Sequence, residues 1–359
     1  MPNFPLTIIA GSAARKRLAS EGWQPQLFTA MVGASGGAKM LSLGHLDRYL
    51  FGEYLGRSNH PMELYGSSIG SWRHAALACI NPAEAIATLQ NRYMNQRWAE
   101  NDRRSPQAIV DGLCAWVLDS LLTPNNTDHI TTNRRFRTHI VTALGLGLNS
   151  HQQKPMLALG MAKAAVLNLL DRQLLARSFQ RVVFSTGVSK SFVFKDFNTE
   201  HVAVSSDNLR SALLASGSIP FLMSGQRDIV GAPKGHYWDG GIIDYHFDFT
   251  NRTGEGLVLY PHFTDHVVAG WFDKSLSWRR RMNDNSRQAL DNVVILAPSR
   301  AYIAALPNAK IPDRRDFQKM PQATRLAYWG ECISASQALA DAFIEVIEAA
   351  DPLHFVTGP

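Results

Sequence analysis

The sequence predicts a three-layer α/β/α sandwich with a mainly parallel central sheet. Near the N-terminus, strand-like and helix-like stretches alternate three times, and the second and third strands each run into a turn of small residues that opens a helix. This alternation is typical of parallel strands whose connecting helices cover both faces of a sheet. Ligands of such sheets bind at the carboxyl ends of the strands, so we expect the two turns to meet at one edge.

The composition is that of an ordinary globular protein. Of the 359 residues, 45% are hydrophobic and 18% are charged, which argues against disorder. The length suits one large α/β domain with embellishments, or two modest ones. No linker rich in glycine, serine or proline divides the chain, so we expect a single domain over residues 1–359.

The N-terminal part is predicted as three strand–helix pairs. In the second helix, Leu43, Leu46, Leu50 and Tyr54 recur at helical spacing. The pairs are a strand over 5–11 with a helix over 12–21, a strand over 27–32 with a helix over 40–55, and a strand from 62 with a helix after 68.

Helical patterns dominate the middle of the chain, and we expect a helical insertion over about 83–178. Its predicted elements are helices over 83–97, 106–122 and 161–178, and a strand over 136–145. After it we predict strands over 181–187, 191–194, 256–260 and 293–297, a strand and tight turn over 236–245, and a helix over 208–215. Helices over about 323–350 are expected to pack on the sheet.

Cysteine usage and the N-terminus bear on compartment and cofactors. Cys79, Cys114 and Cys332 are widely spaced and form neither a disulfide framework nor a paired-cysteine metal motif. No signal-like N-terminus is visible, and no window approaches about 18 consecutive apolar residues. We therefore expect a soluble cytoplasmic protein without a metal or an organic cofactor.

The formal net charge is +6, with basic runs at 134–137, 279–281 and 314–315. Such runs can attract nucleic acid or anionic lipid, or they can be plain solvated faces. No zinc-finger, RNA-recognition or helix-turn-helix motif accompanies them, so we do not expect a nucleic-acid partner.

The main chemical motif is G-x-S-x-G at residues 66–70, with Ser68 at its centre. A serine on a sharp strand-to-helix turn needs very small residues on both sides, and the helix N-terminus favours developing negative charge. A second G-x-S-x-G occurs at 33–37, centred on Ser35. At either place the alternative is a glycine and serine turn without chemistry.

The loop after the second predicted strand can serve a serine nucleophile. Residues 35–39, Ser-Gly-Gly-Ala-Lys, can present consecutive backbone N–H groups to an oxyanion at the edge where Ser68 lies. The alternative is a phosphate cradle, because residues 33–40 approach the P-loop pattern. However, Ala38 replaces the pattern's second glycine, and Met40 lacks the hydroxyl that would ligate magnesium.

Asp239 is the first candidate for the general base, because Asp-Gly-Gly after a strand places a carboxylate on a permissive turn. The alternative is a turn-forming aspartate. Asp244 and Asp248 are less constrained competitors. A histidine base would follow the aspartate in chain order, and no local pattern singles one out. The histidines concerned are His246, His262 and His266.

Taken in order, the glycine loop, the G-x-S-x-G at 66–70, Ala-Ser-Gly-Ser-Ile-Pro at 215–220 and Asp-Gly-Gly at 239–241 resemble the patatin-like phospholipase family. The four motifs span most of residues 27–245. The resemblance implies a lipid acyl hydrolase with a Ser-Asp dyad and no histidine, in which Ser68 is the nucleophile and Asp239 the base.

The resemblance also implies that Gly36, Gly37 and Ala38 donate to the oxyanion. Lys39 takes the place of the family's basic residue, which fixes the loop or meets an anionic head group. The family's loop usually reads D-G-G-G-x-[RK]-G, whereas Ser35 stands here at the first glycine and Met40 at the last. Residues before 27 and after 261 lie outside the resemblance.

The resemblance favours Ser68 over Ser35 as the nucleophile. If Ser35 were the nucleophile, the oxyanion loop would fall on residues 11–15, which keep one glycine, and the glycines at 66 and 70 would have no task. We further expect burial by apolar neighbours such as Trp238 and Ile242 to raise the pKa of Asp239 toward the operating pH.

The expected substrate is a lipid or another acyl ester. A carboxylesterase, thioesterase or acyltransferase on the same scaffold is the alternative among enzymes, and a nucleotide- or lipid-binding module is the alternative outside them. Aromatic and basic residues mix at 261–281, notably Trp271, Trp278 and Arg281, which suits peripheral membrane contact. Packing of the same aromatics in the core is the competing interpretation, and no oligomeric state is predicted.

Overall fold

The computed structural model describes residues 4–99, 101–280 and 284–359. Within them, eleven strands form one sheet. The strands are β1 (Leu6–Ala10), β2 (Phe28–Gly33), β3 (Met62–Ser67), β4 (Phe136–Gly145), β5 (Phe179–Ser185), β6 (Thr199–Ala203), β7 (Gln226–Arg227), β8 (His236–Asp239), β9 (Leu257–Pro261), β10 (Val293–Pro298) and β11 (Val356–Thr357).

Helices surround this sheet. Within the same residues they are α1 (Ser12–Glu21), α2 (Gly44–Tyr49), α3 (Ile69–Leu77), α4 (Pro82–Met94), α5 (Pro106–Asp119), α6 (Pro124–Thr132), α7 (Lys154–Leu170), α8 (Leu209–Ser216), α9 (Asp284–Ala289), α10 (Arg300–Ala305), α11 (Asp316–Lys319), α12 (Gln322–Ala335) and α13 (Gln337–Glu348). No helix in the described part of the chain is both long enough and apolar enough to span a bilayer.

The sheet is mostly parallel, as the sequence predicts. Its order is β11-β1-β10-β9-β2-β3-β4-β5-β6, and the five consecutive strands from β10 to β4 run parallel to one another. β8 continues along the edge of β4 that β3 occupies, but antiparallel to β4, and β7 pairs with β8. The site strands β2 and β3 therefore lie in the parallel centre of the sheet.

Both faces of the sheet are buried. Along β10, Val294 and Leu296 belong to one hydrophobic cluster, and Val293 and Ile295 belong to a second. Because successive side chains of a strand point to opposite faces, these clusters are the two cores on either side of the sheet. A third cluster lies under α7. The result is the predicted sandwich of helices, sheet and helices.

The C-terminal helices contribute to the larger core. Phe343 of α13 packs edge-on against Trp23 and Tyr54, with ring centroids 5.7 and 5.1 Å apart. The predicted helices over about 323–350 are α12 and α13, which meet at Ser336, whose hydroxyl accepts a hydrogen bond from the N–H of His45. α13 also contacts β1, so the tail packs on the sheet as expected.

The position of β1 differs from the simple expectation of neighbouring parallel strands. β1 lies beyond β9 and β10 and runs antiparallel to β10. The pairing of β1 depends on residues nearly three hundred positions away in the sequence, such as Ile295 opposite Ile9. The local alternation of strands and helices carries no information about that partner.

The predicted strand over 191–194 is wrong, because only an isolated bridge between Phe192 and Arg252 forms there. The carboxylate of Glu63 explains the difference, since it accepts hydrogen bonds from the N–H groups of Lys190 and Ser191 at 2.8–3.1 Å. Backbone groups held by a side chain are not available to a sheet ladder.

Two further boundaries differ from the sequence expectation. The predicted helix over 161–178 is α7 followed by a 3-10 helix over Arg172–Arg177. Asp171 separates them with extended backbone, and its carboxylate accepts a hydrogen bond from Gln173 N. The predicted helix over 40–55 is a chain of 3-10, α and π segments from Gly37 to Arg57, in which α2 is the α-helical part.

Candidate active site

Ser68 lies on the sharp turn between β3 and α3. Its backbone has φ 55° and ψ −129°, which is unusual for a residue with a side chain. A Cβ at Gly66 would lie 2.5 Å from Cα of Ser71, and one at Gly70 would lie 2.0 Å from the carbonyl oxygen of Gly33. Close packing of backbone against backbone therefore explains both glycines of the motif.

The structure brings Ser68 and Asp239 together across 171 positions of sequence. Oγ of Ser68 donates a hydrogen bond of 2.8 Å to Oδ2 of Asp239. Oδ1 accepts a bond of 2.7 Å from the N–H of Gly241. Each of the two side chains is 7% exposed. A hydroxyl and a carboxylate thus form a pair that is almost withdrawn from solvent.

Sheet register explains how Asp239 reaches this position. β4 pairs with Ser67 of β3 through Val141, and with Asp239 of β8 through the next residue, Thr142. The elbow and the carboxylate are therefore neighbours along one edge of β4. A Cβ at Gly240 would lie 2.2 Å from the carbonyl oxygen of Val141, so the turn after Asp239 needs a glycine to pass this strand.

Burial raises the pKa of Asp239 to about 6. The hydrogen bonds from Gly241 and Ser68 oppose this shift, as do the positive charges of Arg314 and Lys274. The direction is the one expected from the sequence. A carboxylate with a pKa near neutrality takes a proton more readily than an ordinary aspartate does.

The glycine loop lies beside the elbow. β2 and β3 are in register with Gly33 opposite Gly66, and Gly33 and Gly70 touch through their backbones. Gly37 has φ 56°, a conformation that favours glycine. Among the described residues, no acceptor takes a hydrogen bond from the amides of 36–38, which lie at the start of the 3-10 helix Gly37–Leu43. Such amides are free to bind an anion.

Ser35 is next to the pair but makes different contacts. Its hydroxyl donates to Oγ of Ser67 at 3.0 Å, and its N–H donates to the carbonyl oxygen of Tyr245 at 2.9 Å. A Cβ at Gly241 would lie 2.4 Å from Oγ of Ser35. Ser35 therefore links the glycine loop to β3 and to the turn after Asp239, and its hydroxyl makes a bond that a glycine could not make.

Lys39 and Lys274 add positive charge near the pair. Burial lowers the pKa of Lys39, whose Nζ lies 4.8 Å from the ring centroid of Phe263. Nζ of Lys274 lies 3.7 Å from the ring centroid of Tyr245. Burial, with the charges of Lys39 and Arg314, lowers the pKa of Lys274 to about 7, although the side chain keeps contact with solvent, which moderates the shift.

Ser216 is a positioning residue that the sequence reasoning did not assign. Its Oγ accepts hydrogen bonds from the N–H of Ser68 and from the hydroxyl of Ser71, both 2.9 Å, and donates to the carbonyl oxygen of Val141 at 2.7 Å. Two residues on, the carbonyl oxygen of Ser218 accepts the N–H of Asp239. The segment 215–220 therefore holds both members of the pair, which gives this motif a physical role.

The competing carboxylates have other partners. Asp244 forms a buried ion pair with Arg181, with contacts of 2.6 and 2.9 Å. Asp248 accepts hydrogen bonds from the N–H and hydroxyl of Thr250. Neither is hydrogen-bonded to Ser68, so Asp239 is the carboxylate that the fold supplies to the elbow.

The three candidate histidines make no hydrogen bond to Ser68 or Asp239 within the described residues. Nδ1 of His246 accepts from the N–H of Val268, and Nδ1 of His262 bonds to Thr264. Burial lowers the pKa of His246 well below its ordinary value and that of His262 to about 3. His266 pairs with Asp265 near the surface. A Ser-His-Asp arrangement is therefore not formed.

The side chains that the structure describes do not favour a P-loop or a metal site. Met40, which stands where a P-loop has its magnesium ligand, is buried and carries no hydroxyl. In the portion of the chain that the structure describes, no group of three or more His, Cys, Asp or Glu side chains could hold a metal ion.

Comparison with known proteins gives one match. A family model described as patatin-like phospholipase matches residues 29–246, which include Ser68, Asp239, the glycine loop and the segment 215–220. No curated protein and no solved structure matches the chain. The matched range covers more than half of the 359 residues and ends just after the turn that carries Asp239.

Proposed function

The chain belongs to the patatin-like phospholipase family, and from this premise we propose that it is a lipid acyl hydrolase with a Ser-Asp dyad. The observation that carries the proposal is the 2.8 Å hydrogen bond from Oγ of Ser68 to the buried carboxylate of Asp239. A serine hydroxyl becomes an effective nucleophile when an adjacent base takes its proton, and Asp239 is its hydrogen-bond partner here.

In the first half of the proposed reaction, Oγ of Ser68 attacks the ester carbonyl carbon and its proton passes to Oδ2 of Asp239. The carbonyl oxygen becomes an oxyanion, which the amides of 36–38 stabilise. When the tetrahedral intermediate collapses, the C–O bond to the alcohol breaks and Asp239 returns the proton to the leaving oxygen. The acyl group remains bonded to Ser68.

In the second half, a water molecule gives a proton to Asp239 and attacks the acyl carbon. Collapse of the second intermediate returns that proton to Ser68 and releases the fatty acid. A carboxylate can serve both steps because its raised pKa, about 6, lets it accept and give the proton near neutral pH.

The neighbouring cations have a proposed role in this reaction. Lys39 directly follows the proposed oxyanion-binding amides in the sequence, and its ammonium lies over the ring of Phe263. This contact supports a role in fixing the loop. Together with Lys274 and Arg314, Lys39 also makes the surroundings of the dyad positive, which favours a substrate with an anionic head group.

Hydrolysis by the wild type and by Ser68→Ala across phospholipids, short-chain esters and acyl thioesters tests the function. We expect release of fatty acid from phospholipids that is lost in the variant. Preference for short esters or thioesters would favour a carboxylesterase or thioesterase. Absence of turnover by folded protein on every substrate would refute the hydrolase, and nucleotide or lipid binding would then be the function to measure.

The cellular setting is also part of the proposal. Cys79, Cys114 and Cys332 are free thiols, which supports a reducing, cytoplasmic location. We propose one domain over residues 1–359, with peripheral membrane contact during catalysis because the substrate is a lipid.

A further inference from the structure

Helix α7 presents an uncovered apolar surface. Its inner side packs on the third hydrophobic cluster through Leu157, Met161 and Ala164. Its outer side also carries large apolar side chains, with exposed fractions between 40% and 71%, and at 100° per residue they lie within an arc of about 140°. This surface, called here the α7 ridge, consists of Met156, Leu159, Val166, Leu169 and Leu170.

α7 has few polar residues, and its charged residues are all basic. Lys154 and Lys163 are exposed, Asn168 is buried, and the helix contains no acidic residue. A helix that is apolar all round is normally buried in a core or in lipid. Isolated exposed apolar residues are ordinary, but five large ones on one side of a single helix mark a surface that another body covers.

Trp278, which is 56% exposed, lies in a short segment that contacts α7. The next residue, Arg279, donates to the carbonyl oxygen of Asn168 in α7 and to the carboxylate of Asp273. Trp271 instead packs against the third cluster, and Arg281 of the basic run lies outside the described residues. An exposed tryptophan next to a basic residue suits the interface of a bilayer with water.

We propose that the α7 ridge docks on the surface of an anionic lipid bilayer. The ridge enters the head-group region with the helix axis parallel to the membrane, and Lys154 and Lys163 meet lipid phosphates. The apolar strip without an acidic residue on the helix is complementary to that surface in both polarity and charge.

A second copy of the chain fits the ridge less well. A two-fold axis that crosses the middle of α7 brings the midpoint of the helix against its own copy. The midpoint of α7 is residue 162, and Lys163 is its neighbour. Antiparallel pairing would therefore bring two Lys163 ammonium groups together in an apolar contact, whereas anionic lipid would neutralise them.

The inner side of α7 packs near the turn that carries Asp239. Trp238 and Ile242, which flank Asp239 in sequence, pack in the same cluster as the inner side of α7. Docking by the outer side of α7 thus holds the lipid surface against a helix whose inner side packs near the turn that carries Asp239. The link to catalysis rests on the proposed function, whereas docking itself needs no turnover.

Co-sedimentation with vesicles of phosphatidylglycerol and phosphatidylcholine tests the ridge. Ser68→Ala protein is used so that lipid is not consumed. We expect this Ser68→Ala protein to bind the vesicles. Leu159→Gln, Leu169→Gln and Leu170→Gln, introduced together into it, should weaken binding by about 100-fold or more. The matched control replaces three equally exposed apolar residues elsewhere by glutamine. They are Ile80, Val188 and Val230.

A separate variant tests how much charge contributes to vesicle binding. Lys163→Glu should weaken binding to phosphatidylglycerol vesicles about tenfold and leave the weak binding to pure phosphatidylcholine unchanged. Thermal unfolding at an unchanged temperature shows that each variant is folded.

Three results would overturn the docking proposal. The first is no binding by the Ser68→Ala parent, and the second is equal binding by the three-glutamine variant. The third is a dimer in sedimentation velocity that the three-glutamine substitution dissociates, because the occupant would then be a second copy. Lack of hydrolysis by a wild type that still binds vesicles would refute the proposed function and leave the docking surface intact.

Discussion

The chain carries two G-x-S-x-G turns, and they differ in backbone conformation and in hydrogen-bond partner. Ser68 has a positive φ and donates to the carboxylate of Asp239. Ser35 donates to another hydroxyl, and its N–H is held by the carbonyl oxygen of Tyr245. A shared five-residue pattern thus gives one serine that is hydrogen-bonded to a carboxylate and one that anchors a loop.

The largest effect expected is that of removing the hydroxyl of Ser68. Ser68→Ala should lower kcat/KM for ester hydrolysis by about 10³-fold or more, because no other described hydroxyl is bonded to Asp239. Ser35→Ala, the matched control in the second turn, should lower kcat/KM less than about tenfold, because it loses a bond to Ser67 and no base. Equal losses of kcat/KM in the two variants, measured by steady-state kinetics, would show that the two serines do not differ in this way.

Removing the proposed base, Asp239, should have the next largest effect. Asp239→Asn keeps the size of the side chain but cannot take the proton of Ser68, so we expect kcat to fall by about 10²–10⁴-fold. Asp248→Asn is the control, since that carboxylate caps a turn at Thr250. A loss of kcat in Asp239→Asn no greater than in Asp248→Asn would exclude Asp239 as the base.

The contact between the two turns gives a third prediction. Gly70→Ala would place a methyl group 2.0 Å from the carbonyl oxygen of Gly33, so the turns must separate. We expect a free energy of unfolding lower by about 2–4 kcal/mol and a kcat about 100-fold lower. Gly56→Ala, which meets no atom within 4 Å, should leave denaturant unfolding and kcat nearly unchanged. A stable, fully active Gly70→Ala would show that the turns need not touch.

The support from Ser216 predicts a smaller loss. Ser216→Ala removes the acceptor of the Ser68 N–H, so the elbow is less well held, and kcat should fall about tenfold with little change in KM. Ser218→Ala loses only a side-chain bond to the carbonyl oxygen of Leu214 and serves as the control. A change confined to thermal stability, with kcat intact, would reduce Ser216 to a structural role.

The smallest effect concerns pH. With the pKa of Asp239 near 6, activity should fall as the pH drops below about 6, because the protonated carboxyl cannot accept the proton of Ser68. The charge of Lys274 lowers the pKa of Asp239, so Lys274→Gln should move this acid limb to higher pH. The pH profile of kcat/KM measures the shift, and Lys16→Gln is the control. A limb displaced to lower pH has the wrong sign for this electrostatic coupling.

Local patterns predicted much of the fold. The helix over 12–21 and the strand over 136–145 are found with the expected bounds, because a capping glycine and a run rich in β-branched and apolar residues are local signals. The partner of β1 and the loss of the strand over 191–194 depend on contacts with Val293–Pro298 and Glu63, which are distant in sequence. Edge strand β6 has mostly exposed residues and therefore lacks an apolar signal.

The sequence motifs pointed to Ser68 and Asp239, which the structure brings into contact, and not to the residues that hold them in place. Ser68 and Asp239 stand in motifs that imply turns with permissive backbone. The task of Ser216 and the anchoring contact of Ser35 arise only when β2, β3, β4 and α8 converge. The exposed side of α7 could not be predicted either, because an apolar helical pattern does not tell which side of the helix other residues cover.

Reaction of folded, active protein with a fluorophosphonate, followed by peptide mass spectrometry, tests the difference between the two turns most directly. We expect one phosphonyl group per chain, on Ser68, and no labelling of Ser35. An adduct on Ser35, or no adduct in protein that still hydrolyses esters, would contradict the assignment of Ser68 as the nucleophile.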